Sequence, residues 1–209
     1  SFSCIRSTMS LSIQLRNQYF AVRHGESQAN VAHLISSNPS VGTEKHGLTL
    51  HGQQQVVENA KLFLANHPTN KSFVIVSSDF CRARETAKIL ATNLSSSLEV
   101  QLDIRLRERF FGIYDGQSDE NYNLIWKNDE DNPEKNAIDL VEPVENVRQR
   151  TTDLIKDLEE KYDNQIIFLV SHGDALQILQ TAFERMENAN QQRHLKHLER
   201  AEIRELMLK

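Results

Sequence analysis

Short apolar runs alternate along the chain with longer stretches whose apolar residues recur at helical spacing. Tyr19-Phe20-Ala21-Val22 is rich in strand formers and stops at Arg23-His24-Gly25, where a glycine permits a sharp turn. From Thr49 a helix is predicted, with Val56, Ala60, Phe63 and Leu64 on one face and an end before Pro68. Phe73 to Val76 predicts a buried strand, and Ala83, Ala87, Leu90, Ala91 and Leu94 the apolar stripe of the helix that follows it. A shorter strand is expected around Leu98 to Leu102, then a loop punctuated by Gly112 and Gly116. The polar, mostly acidic stretch Lys127 to Lys135, broken by Pro133, predicts a surface loop or insertion. Pro143 suits the first turn of a helix carrying Val147, Thr151, Leu154, Ile155 and Leu158. Ile166 to Val170 predicts another strand, ending in Ser171-His172-Gly173, and Ala175 to Met186 another helix. The partial alternation of the closing AEIRELML suggests an edge strand. Strands alternating with amphipathic helices predict an α/β fold, a three-layer α/β/α sandwich on a mainly parallel central sheet.

Composition narrows what such a fold can do. A chain of 209 residues, 39% hydrophobic, is long enough to bury about 70% of its unfolded surface around one core. A net charge of −5 supplies no basic field for a nucleic acid backbone. Cys4 and Cys81 form no CxxC pair, and no apolar run approaches a bilayer span. The expectation is a cytoplasmic chain with neither a nucleic acid nor a membrane partner. Residues 1–18, with five Ser, two Arg and no acid, predict an N-terminal extension. An organelle transit segment, which would move the chain out of the cytoplasm, and an upstream stretch before a natural start at Met9 are both open for it. Asn70-Lys71-Ser72 and Asn93-Leu94-Ser95 match the glycosylation triplet, but nothing else points to secretion.

In α/β sheets the ligand crevice lies outside the carboxyl ends of the strands. Arg23 and His24 follow the first strand, Ser77-Ser78-Asp79 and then Arg82 the second, and His172 the fourth. Four potentially cationic groups from three distant segments thus converge at one sheet edge of an acidic chain, which predicts an anion site.

The same residues resemble the histidine phosphatase superfamily, which includes cofactor-dependent phosphoglycerate mutases and many phosphatases. Arg23-His24-Gly25-Glu26-Ser27 with Asn30 is similar to its opening RHGE motif, and Gly47-Leu48-Thr49 with Gly52 and Gln53 to the turn beginning its first helix. Ser77 to Ala87 is similar to its second-arginine segment, Leu106-Arg107-Glu108 with Phe111-Gly112 and Asp115-Gly116 to its acid segment, and Val170-Ser171-His172-Gly173 to its second-histidine segment. The resemblance runs from about Tyr19 to Ala182. It departs from the commoner pattern at Ala29, where an aromatic is frequent, and at Asp115, where Glu is frequent.

The resemblance implies a phosphoglycerate mutase-like fold, one histidine phosphatase domain over 19–209, and hydrolysis of a small phosphorylated substrate through a phosphohistidine on His24. Arg23 and Arg82 would hold phosphate oxygens by forked guanidiniums, with Asn30 and the Gly173 backbone as further donors and His172, if protonated, on one more oxygen. His24 must attack as a neutral imidazole, its other ring nitrogen fixed by a partner such as a backbone carbonyl. Glu108 is the candidate general acid, since a carboxyl beside phosphate holds its proton to higher pH, with Glu26 its rival. No cofactor is implied, and two arginines beside two histidines disfavour a metal.

Two other functions stay open. A mutase-type phosphotransferase shares the same groups. Against it, the span Gln117 to Pro143 holds only Lys127 and Lys135 against Asp119, Glu120, Asp129, Glu130, Asp131, Glu134, Asp139 and Glu142, a poor field for a doubly anionic substrate. A non-catalytic binding protein on the same fold would be marked by loss of a catalytic candidate, and all five (Arg23, His24, Arg82, Glu108, His172) are present. Oligomeric state has no signature in the chain.

Overall fold

The computed structural model describes residues 14–94, 99–132 and 139–209. In chain order they form β1 (Gln18–Arg23), α1 (Gln28–Val31), α2 (Pro39–Gly42), α3 (Leu50–Asn66), β2 (Phe73–Ser77), α4 (Cys81–Leu94) and β3 (Val100–Leu102). Then come α5 (Asn121–Asp131), α6 (Val144–Lys161), β4 (Ile166–Ser171), α7 (Gly173–Phe183) and β5 (Ile203–Leu206). Leu98, at the start of the predicted third strand, lies outside the described residues, as do the first 13 residues of the predicted extension. Of that extension, Asn17 is buried and donates its side-chain amide to Glu159 Oε1 on α6 at 2.8 Å.

The strands make a five-stranded sheet in the order β3-β2-β4-β1-β5, parallel except for the edge strand β5, which runs antiparallel to β1. Because side chains alternate across a strand, each central strand feeds two cores. Tyr19 and Ala21, Val74 and Val76, and Ile167 and Leu169 meet Leu154, Ile155 and Leu158 of α6 and Leu176 and Leu179 of α7 on one face. Phe20 and Val22, Ile75, and Phe168 and Val170 meet Val56, Ala60 and Phe63 of α3 and Ala83, Ala87 and Leu90 of α4 on the other. This is the expected three-layer arrangement, and no helix among the described residues is long and apolar enough to cross a membrane.

Two expectations need correction. The helix predicted to reach Met186 stops at Phe183, where Arg185 turns left-handed (φ 51°) and the Met186 and Arg185 amides close back on Thr181 and Ala182. More consequential, the predicted loop from Lys127 begins inside a helix: α5 continues to Asp131, while residues 133–138 lie outside the described residues. Tyr122, Ile125, Trp126 and Asp129 stand at helical spacing. The stripe was hidden because its last position is a carboxylate, buried in ion pairing rather than solvated. Arg109, only 2% exposed, grips Asp129 through two nitrogens at 2.6 and 2.8 Å and reaches Asp174 at 3.2 Å. It also donates to the Glu142 carbonyl at 2.7 Å.

Removing one partner from a buried ion pair leaves charge uncompensated in a poorly polarisable interior, at a cost of about 3–5 kcal/mol. Arg109→Ala should therefore lower the urea midpoint of unfolding far more than Lys127→Ala, whose ammonium pairs with Asp131 in solvent. Equal midpoints for the two variants would show that α5 is not held by this network.

Candidate active site

The loop after β1 is set by backbone approach. A Cβ on Gly25 would lie 2.4 Å from the Gly52 carbonyl oxygen, and one on Gly52 would lie 2.0 Å from that of Glu26, so the first turn of α3 and the loop carrying His24 pack main chain to main chain. Thr49 fixes the contact: its hydroxyl caps α3 at the Gly52 amide (3.0 Å), and its own amide donates to the Glu26 carbonyl (2.9 Å). Ser27 and Asn30 close a capping box on α1 in which the Asn30 carbonyl oxygen is the acceptor. That geometry leaves the Asn30 amide nitrogen as the donor it can offer at the cleft it lines.

The cleft, of about 200 Å³, brings together Arg23, His24, Asn30, Arg82, Glu108 and Gly173. His24 Nδ1 lies 2.7 Å from the Gly25 carbonyl, an acceptor only, so the proton sits on Nδ1 and Nε2 carries the lone pair. Arg82 agrees with that tautomer, since its Nε–H donates to His24 Nε2 at 3.1 Å while its terminal nitrogens bind Ser36. The expected backbone partner for the imidazole is thus Gly25. Arg23 anchors one terminal nitrogen on the Leu198 carbonyl at 2.8 Å.

His172 packs edge-on to His24, ring centroids 5.2 Å apart. Burial first, then Arg82, holds both imidazoles well below the usual histidine range. His172 Nε2 lies 2.9 Å from the Ser78 hydroxyl. Its Nδ1 is fully buried without a hydrogen-bond partner, as is Arg23 Nε. Buried polar atoms are rarely left so, and these two lie on neighbouring groups that would converge on an anion.

Glu108 is buried at the same edge, not on the surface between its flanking arginines. Arg107 turns away to Asp79 (2.6 Å), and Arg109 to Asp129. The Glu108 Oε1 accepts from the Arg109 and Ala175 amides at 2.8 and 3.1 Å, so a proton on this carboxyl belongs on Oε2. Burial first, then the Asp174 carboxylate, raises its pKa above the usual range. The rival Glu26 does not line the cleft; it accepts from Thr49 (2.8 Å) and Arg200 (3.1 Å) and supports the loop. Asp115, at the position where Glu is commoner, accepts from the Ser37 and Asn38 amides at 2.6 and 2.9 Å.

Other cleft residues were not anticipated: Ser36, Asp119, Tyr122, Trp126, Asp174, His197 and Arg200. The Trp126 indole donates to Asp174 Oδ1 at 3.0 Å and stacks on Tyr122 (centroids 5.1 Å). Helical spacing of Tyr122 and Trp126 was the available signal; nothing marked His197 or Arg200, which follow no strand. Among the described residues, no three His, Cys, Asp or Glu side chains gather as a metal site.

The sequence model of the histidine phosphatase superfamily (branch 1) matches residues 19–208. No curated protein matches the chain by sequence. Among solved structures, a mycobacterial glucosyl-3-phosphoglycerate phosphatase complexed with VO3 is 24% identical with a TM-score of 0.73, covering 90% of this chain and 91% of its own. An alpha-ribazole phosphatase from Shigella flexneri is 23% identical with a TM-score of 0.68, covering 89% and 88%. A phosphoserine phosphatase from Entamoeba histolytica, in complex with 3-phosphoglyceric acid, is 23% identical with a TM-score of 0.69, covering 90% and 88%. These likenesses show the fold.

The raised Glu108 carboxyl gives a stability test. The folded chain binds this proton more tightly than the unfolded one, so the contribution is present below the ordinary carboxyl pKa and is lost as pH rises through the folded value. Glu108→Gln removes the ionisation, and should raise the melting temperature relative to wild type at pH 8 with a gain that shrinks towards pH 4. A difference independent of pH would mean that Glu108 ionises as freely in the fold as out of it.

Proposed function

The chain belongs to the histidine phosphatase superfamily (branch 1), and from that premise we propose that it is a phosphomonoester hydrolase working through a phosphohistidine on His24. One observation carries the proposal: an imidazole whose Nδ1 proton is pinned on the Gly25 carbonyl presents its Nε2 lone pair to a pocket of two guanidiniums. The phosphatases among its structural neighbours support hydrolysis over transfer between two substrates. A cleft of about 200 Å³ is below the usual range for drug-sized ligands and supports a small phosphomonoester.

In this mechanism Arg23, Arg82, the Asn30 amide, the Gly173 backbone and the His172 N–H hold the phosphoryl oxygens, whose charge is what the transition state must have stabilised. The incoming phosphate displaces the Arg82–His24 hydrogen bond and frees Nε2. That nitrogen bonds to phosphorus as the P–O bond breaks, and the departing oxygen keeps the electron pair and takes the proton from Glu108. The ionised Glu108 then draws a proton from water. The resulting nucleophile attacks phosphorus, and the N–P bond pair returns to His24. No step calls for a metal.

His24→Ala should abolish turnover while leaving the fold intact by circular dichroism. Brief incubation of wild type with labelled substrate should give an acid-labile, base-stable phosphoenzyme; label surviving acid, on Ser or an acyl group, would sink the mechanism.

Glu108→Gln should slow hydrolysis of an alkyl phosphate far more than that of an activated aryl phosphate, because an alkoxide cannot leave unprotonated whereas a nitrophenolate can. Phosphoenzyme should still form from the aryl ester. Equal slowing of both esters at the phosphorylation step would move the acid elsewhere.

A further inference from the structure

Three serine hydroxyls crowd the strand ends behind His24, and they are not equivalent. Ser77 closes β2, Ser171 closes β4 and Ser78 follows β2, all of them buried. The parallel register pairs Ser77 with Val170, and the Ser78 amide donates to the Val170 carbonyl at 2.9 Å, which sets Ser78 beside the step from Ser171 to His172. Two of the hydroxyls are spent on main chain: Ser77 donates to the Ser78 carbonyl at 2.8 Å and Ser171 to that of Leu106 at 2.6 Å. Ser78 is the exception.

Its Oγ accepts the Phe80 amide at 3.2 Å, a local contact at the entry to α4 that fixes where the hydroxyl lies. Its other neighbour is His172 Nε2 at 2.9 Å. A hydroxyl has one proton to give, and among the described residues that ring nitrogen is the one acceptor placed to take it.

The two tautomers of His172 therefore differ in how many buried groups they satisfy. With the ring proton on Nε2, that N–H would donate to Ser78, and the serine proton would be left in the interior without an acceptor. Nδ1 would then carry a lone pair where an arriving anion needs a donor. With Ser78 donating to Nε2, the hydroxyl is satisfied on both sides and the ring proton lies on Nδ1. Buried donors without acceptors are costly, so the second arrangement prevails. A ring protonated on both nitrogens strands the serine proton again, and burial and then Arg82 oppose it.

That arrangement leaves a single group open. Nδ1 is buried with no hydrogen-bond partner, on a ring held between His24 (centroids 5.2 Å apart) and Phe80 (5.1 Å), and the next residue, Gly173, lines the cleft. We propose that Ser78 is a positioning residue that fixes the tautomer of His172, so that the ring offers its Nδ1–H to an oxygen of the phosphoryl group carried by His24. The inference rests on the phosphatase reading, yet it concerns a residue that does not itself line the cleft. A donor set in advance by a neighbouring hydroxyl needs no reorganisation when charge develops on the phosphoryl oxygens.

The first test is on wild type. Proton–nitrogen NMR spectra of isotope-labelled histidine rings, with His172 assigned by its absence from His172→Gln, should show the proton on Nδ1 and a bare Nε2. A proton on Nε2 overturns the proposal. In Ser78→Ala the proton should spread over both nitrogens, and affinity for vanadate, measured by calorimetry, should weaken about tenfold, the worth of one hydrogen bond. In a His172→Gln background the same substitution should cost nothing further, because the serine acts through that ring. An equal cost with and without His172 would mean that Ser78 works through the Phe80 amide and α4, and the proposal falls. It falls too if Ser78→Ala keeps the wild-type tautomer. Where Ser78→Ala does not fold, the wild-type spectrum decides. Each of these failures leaves the acid-labile label on His24 of wild type in place, whereas absence of that label would overturn the phosphatase reading itself.

Discussion

Two guanidiniums and the His24 imidazole at one small cleft, with the buried His172 ring packed against His24, are the constraint to which the rest of the molecule answers. In water four such groups would tolerate each other as partly charged neighbours. Burial and mutual repulsion hold both imidazoles well below the usual histidine range, and Arg82 resolves its closest contact by donating to the His24 Nε2 lone pair. In the proposed mechanism a neutral imidazole beside fixed positive charge is what attack on a phosphoryl group requires, the arginines holding the oxygens while the imidazole supplies electrons. Desolvation that costs stability therefore also sets the protonation state that chemistry needs.

Glu108 answers the same field with the opposite sign. Arg82 stabilises its ionised form, yet burial and Asp174 outweigh that attraction, and its Oε1 is occupied by two amides. Asp174 in turn binds Arg109 and the Trp126 indole. One buried carboxylate thus tunes the acid and positions the aromatic wall of the cleft, so α5, the start of α7 and the acid segment act as one unit.

The parts legible in the sequence were those that follow strands. His24, Arg82 and His172 could be brought to one edge because a parallel sheet places its strand ends together, and Thr49 was expected at the helix start that it caps. Helix α5 was misjudged because Asp129 breaks an otherwise regular apolar stripe; a carboxylate reads as solvated until its buried arginine is seen, and Arg109 lies 20 residues away. Arg200 had no signature at all. Its place depends on the turn at Ala201, and an alanine gives no hint of a left-handed backbone.

The same example bears on how charge should be counted. By tally the 117–143 span is acidic and hostile to an anion, but Asp129 and Glu142 are paired with arginines, Asp131 with a lysine and Asp139 with a tyrosine hydroxyl. A formal charge neutralised at 3 Å contributes little field at the cleft, whereas a guanidinium with free donors at the mouth contributes directly. Of that span's acids only Asp119 lines the cleft among the described residues, together with Arg200 from the segment before β5. The field at the cleft is therefore a property of packing that net composition does not carry.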